Sequence, residues 1–63
     1  MKDFQQRVVD EKRELDERHT KLLEFVSGEP FAALHGAEQE RLRRQSSIMK
    51  DFSVVLGERI AAF

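Results

Sequence analysis

Residues 8–22, VVDEKRELDERHTKL, and residues 42–56, LRRQSSIMKDFSVVL, together decide the fold. In the first, Val8, Leu15 and Leu22 recur at seven-residue spacing. In the second, Leu42, Met49 and Leu56 do the same, and Phe63 extends the series. A seven-residue apolar period marks a helix that presents one stripe to a partner helix. Folded about the intervening SGEPFAALHG (residues 27–36), the two series meet level by level: Leu22 with Leu42, Leu15 with Met49, Val8 with Leu56. The chain reads as all-α, an antiparallel two-helix hairpin with arms of matched length.

Working outward, the first arm is expected over about residues 3–27, which hold no Gly or Pro and are rich in strong helix formers. Acidic residues precede basic ones by four, as in Glu14 and Arg18, or Glu17 and Lys21, which supports an exposed helical face. Gly28 is a natural helix stop, and Pro30 can open a short helical turn through Phe31 and Leu34, so residues 28–36 are read as the connection. The second arm is expected over about residues 37–62, with Glu38 and Glu40 at the positive end of its dipole. Residues 1–63 are one helical-hairpin domain.

Two helices bury little, and 63 residues lie near the size at which a core needs help from copies, metals or disulfides. Val9, Leu23, Val26, Ile48, Val54 and Val55 lie beside the seam and widen the apolar face beyond what one helix covers. A homo-oligomeric helical bundle is therefore expected.

Composition narrows the function. There is no cysteine, and 11 basic residues face 12 acidic ones, which argues against thiolate metal sites and against a DNA or RNA duplex as partner. No apolar run approaches the roughly 20 residues of a membrane span, and MKDFQQRVVDEK has no apolar signal core. The expected setting is cytoplasmic, with no membrane partner. His19 and His35 have no metal-ligand spacing, and neither a Gly-rich phosphate loop nor a nucleophile elbow is present. So small a hairpin also lacks walls to exclude water from a reacting centre. The reading is a protein that is not an enzyme, with no cofactor, no metal and no catalytic residue.

Polar groups in the seam are the candidate site. Completing the heptads three residues on from each layer gives Phe4, Glu11, Arg18 and Phe25 in the first arm and Gln45, Phe52 and Arg59 in the second. Antiparallel register then sets Glu11 near Phe52, Arg18 near Gln45 and Phe4 near Arg59. These side chains either snorkel at the edge of a narrow seam or line a pocket between protomers. Arg41, Arg43 and Arg44 form the basic cluster, and a guanidinium fork suits phosphate. Gly57, inside a strong helix, admits close approach of a neighbour. Ser46, Ser47 and Ser53 allow tight packing or donate hydrogen bonds.

The stretches QQRVVDEKRELDER, AEQERLRRQ and IMKDFSVVLGERIAAF resemble the phage and prophage hairpin proteins grouped with the anti-CBASS and anti-Thoeris cyclic-nucleotide sponges. The resemblance implies a host-cytoplasmic, all-helical oligomer, often a hexamer. It implies that the oligomer sequesters a cyclic di- or trinucleotide, or a cyclic ADP-ribose-type signal, at protomer interfaces without chemistry on it. Some sponge branches stack a base on a Tyr that this chain lacks. Phe4 or Phe52 is the ring available here, with Arg44, Arg59, Arg18 and Arg41 as candidate phosphate contacts. The alternative is a helical-hairpin interaction module that docks its apolar face on a host or phage protein.

Overall fold

A computed structural model describes residues 3–63. Three helices follow one another: α1 over Asp3–Val26, the single turn α2 over Glu29–Ala32, and α3 over Gly36–Ala61. The described residues contain no strand. Contacts that join Phe4 to Phe63, Lys12 to Ser53 and His19 to Ser46 show α1 and α3 running antiparallel. The hairpin measures 45 × 14 × 13 Å. Among the described residues, no helix is long and apolar enough to cross a membrane.

Two of the three expected layers, Leu15 with Met49 and Val8 with Leu56, form the core, while Leu22 and Leu42 nearer the turn are only half-buried. Leu56 is fully enclosed, Val8 and Leu15 are buried against it, and Met49 and Ile60 pack around them. The alternate seam set is a correction. Phe4, Glu11, Arg18, Phe25, Gln45, Phe52 and Arg59 are all exposed. The seam is completed four residues on from each layer rather than three, by Lys12, His19 and Val26 on α1 and by Ser46, Ser53 and Ile60 on α3. A heptad anchored on Val8, Leu15 and Leu22 leaves both completions open, because positions three and four residues away share its face. The small Ser46 and Ser53 let the helices close on that side, and large side chains on the other flank stay outside. Apolar layers therefore alternate with polar ones that bond across the seam.

Those polar layers are satisfied. The Lys12 ammonium donates to Asp16 Oδ2 at 2.8 Å and to Ser53 Oγ at 3.1 Å, while the Ser53 hydroxyl donates to Asp16 Oδ1. One level closer to the turn, His19 Nε2 and Ser46 Oγ share a hydrogen bond of 2.8 Å. Gly57 makes room for the first of these. Its missing side chain leaves space for the Lys12 stem, so the close neighbour there is a side chain rather than a helix backbone.

The turn is held by Phe31, which is 5% exposed and meets the Phe25 ring edge to face at 6.2 Å. α1 ends without a left-handed residue. Gly28 is extended, at φ −104 and ψ 171, and it leads into α2 instead of closing α1 as a C-cap. The Ser27 and Gly28 amides close the last turn of α1 with bonds to Glu24 and Phe25 carbonyls. Gln39 on α3 reaches back, its amide nitrogen donating among the carbonyls of Phe31, Ala32 and Leu34 at 3.0–3.3 Å. It thereby satisfies acceptors that a four-residue helix cannot satisfy itself. His35 caps α3 with Nδ1, which accepts from the Ala37 amide at 3.2 Å.

Candidate ligand-binding surface

The arginines of the second arm are fixed by the helical period of α3. Arg44 lines a shallow depression of roughly 700 Å³ together with Gly36, Gln39, Glu40, Arg43 and Ser47. Arg43 is held there by the turn, its guanidinium 5.2 Å above the Phe31 ring centre. That arrangement is a cation–π contact of ordinary geometry. Arg41 shares the cluster in sequence but not in space: its Nε donates to Glu38 at 3.0 Å, and it does not line the depression.

The remaining candidates are dispersed. Arg18 stands off Glu14 at 4.0 Å on the outer face of α1. Phe4 meets Phe63 edge to face at 5.8 Å, so its aromatic partner is a ring and not the Arg59 guanidinium expected beside it. Phe52 and Arg59 are exposed on α3. Arg44 and Arg59 are separated by fifteen residues of one helix, about 22 Å along its axis at 1.5 Å per residue. No small anion spans that distance within one chain. The structure thus brings Arg44 together with Arg43, leaves Phe52 midway along α3 between Arg44 and Arg59, and leaves Arg59 and Phe4 toward the opposite end.

Electrostatics distinguish the seam from the surface. The Asp16 carboxyl is held below its ordinary range by the hydrogen bond from Lys12, then by that from Ser53, against a smaller opposing effect of burial. His19 and Ser46 have the separation of a base and a hydroxyl, but the pair lies half-buried between the arms and serves the seam. Among the described residues, no group of three or more His, Cys, Asp or Glu side chains could hold a metal ion.

Two contributors escaped sequence reasoning. Arg43 stacks on Phe31 because the short α2 turns its ring back toward α3, and Lys12 crosses the seam because Gly57 leaves it room. A glycine opposite a long cationic side chain was the available signal for the second. For the first, nothing in the spacing foretold which ring the arginine would cover.

A protein-family model described as Sequestin matches residues 2–62. No curated protein and no solved structure matches the chain.

Proposed function

This chain belongs to the Sequestin family, and from that premise we propose that it is a non-enzymatic phage anti-defence protein. In this reading it binds cyclic di- or trinucleotides, or cyclic ADP-ribose-type signals, at protomer interfaces in the host cytoplasm and withholds them from their receptors. The family description supports sequestration. The observation that carries the choice of an anionic ligand is the state of Arg44 and Arg59. Both guanidiniums are exposed and neither enters an ion pair or hydrogen bond within the described chain, whereas Arg41 and Arg18 face carboxylates. An unpaired guanidinium offers its planar fork to phosphate at no cost of breaking an internal pair.

Thermal melting against a panel of cyclic nucleotides tests the reading. A ligand at a hundred times its dissociation constant adds about 2.7 kcal/mol, several degrees in so small a domain. The ligand is expected to be recovered intact after the protein is denatured. A second reading rests on a different observation: Ile48, Phe52 and Val55 are exposed in one stripe, the surface an interaction module would dock on another protein. Absence of a shift with every nucleotide would favour it.

A further inference from the structure

The residues that line the depression follow the period of α3. At 100° per residue they fall in the order Gln39, Arg43, Gly36, Ser47, Glu40 and Arg44 across about 140° of its outer face. Arg43 and Arg44 thus stand on either side of the small Gly36 and Ser47, and a β-carbon added at Gly36 would meet nothing within 4 Å. We propose that Phe31 is a positioning residue for an anion site on this face: its ring fixes the Arg43 guanidinium on one side of the depression, so that Arg43 and Arg44 together take a phosphate or pyrophosphate group within a single chain. The proposal deepens the sequestering reading, on which it rests for the molecule that carries the phosphate.

Arg43 is the ordered half of the pair. Its guanidinium lies 5.2 Å from the centre of the Phe31 ring. That ring is itself fixed, 5% exposed and edge to face with Phe25 at 6.2 Å. Gln39, one turn before Arg43 on α3, holds the backbone of Phe31, Ala32 and Leu34 through its amide nitrogen. Recruiting a long side chain to a ligand usually costs conformational freedom, and a cation already held in one geometry loses little more. Arg44 has no such support and supplies its charge from the other side.

Hydrogen-bonding capacity supplies the second argument. Among the described residues, neither guanidinium enters an ion pair or hydrogen bond. A cation–π contact leaves the N–H donors of Arg43 without an acceptor oxygen, and phosphate oxygens match a guanidinium fork. Glu40 is the carboxylate in the depression, and it bonds to neither arginine. Its charge opposes an anion there, so neutralising it reads the sign of the ligand.

Nuclear magnetic resonance of the full chain tests the site, with inorganic pyrophosphate as probe and sodium chloride at matched ionic strength as control. Arg43→Gln and Arg44→Gln are each expected to weaken pyrophosphate binding about tenfold, and Glu40→Gln to strengthen it about threefold. Phe31→Leu keeps the turn filled but removes the π face. It is expected to weaken binding about fivefold in the parent and to change nothing in the Arg43→Gln background, whereas a merely structural role would lower affinity alike in both. Before any ligand is added, the Arg43 Nε–H group is expected to be more rigid than that of Arg44 on the picosecond to nanosecond timescale. This last measurement needs no variant, so it decides the matter even where Phe31→Leu loosens the turn.

The proposal is overturned if millimolar pyrophosphate shifts neither arginine signal, if Arg43→Gln binds as the parent does, or if Glu40→Gln binds more weakly. It is also overturned if Phe31→Leu weakens both backgrounds equally, or if the two arginines are equally mobile. Binding of pyrophosphate without binding of any cyclic nucleotide would sink the sequestering reading and leave the site standing. Cyclic-nucleotide binding that survives both Arg43→Gln and Arg44→Gln would do the reverse.

Discussion

The aliphatic stem of Lys12 covers Gly57: its Cε lies 3.4 Å from the point where a β-carbon at residue 57 would sit. That separation is an ordinary contact, and the neighbour is the flexible end of a side chain. Gly57→Ala is therefore expected to fit and to raise stability by about 0.5–1 kcal/mol through helix propensity. Gly57→Leu should displace Lys12 from Asp16 and lower the melting temperature. Equal melting of the two variants would contradict the packing described.

Acid should loosen the seam in a definite range. The Asp16 carboxyl is depressed in the folded state by Lys12 and Ser53. Its contribution is fully present above the unfolded value, about pH 4, and is lost as the pH falls through the lower folded value. Asp16→Asn and Ser53→Ala should both flatten the pH dependence of stability below about pH 4 while leaving its shape at neutral pH unchanged. An acid limb identical to that of the parent in both variants would show that the triad does not couple to folding.

Burial separates residues that look alike in sequence. Leu56, fully enclosed, is expected to cost about 2–5 kcal/mol on truncation to alanine, enough to unfold a hairpin of this size. Arg18→Ala, on the outer face, should shift stability by less than about 0.5 kcal/mol. Chemical denaturation of the two variants reads both values, and comparable losses would overturn the seam assignment.

The turn offers a fourth check. Gln39→Ala removes the donor shared by the carbonyls of Phe31, Ala32 and Leu34, at an expected cost of about 1 kcal/mol. Hydrogen exchange should accelerate in residues 29–39 and not at the Leu56 layer. Uniform acceleration would mean that the turn has no local stability of its own.

How much was legible follows from which signals have one reading. The apolar heptads of Val8, Leu15 and Leu22 against Met49 and Leu56 specify two helices and their register, and the helices meet as that pattern requires. The flank on which each seam is completed was not legible, because positions three and four residues away are both neighbours on a helix. Only the fit of Lys12 over Gly57, and of His19 against Ser46, selects the second completion. The short helical turn through Phe31 was legible from Pro30, but the hold of Phe31 on Arg43 was not, since that contact depends on the path of residues 27–35. The site was the least legible part. Arg44 and Arg41 are close in sequence, yet one faces the depression and the other is paired with Glu38.

Sequestration requires that the chain retain a signal molecule. Equilibrium dialysis of the full chain against cyclic di- and trinucleotides and cyclic ADP-ribose isomers measures this directly, with Arg59→Ala run in parallel. At least one of these anions is expected to be held by the parent, to be held more weakly by Arg59→Ala, and to be recovered chemically unchanged after denaturation. Free passage of every nucleotide, or return of any of them as a cleaved product, would contradict it.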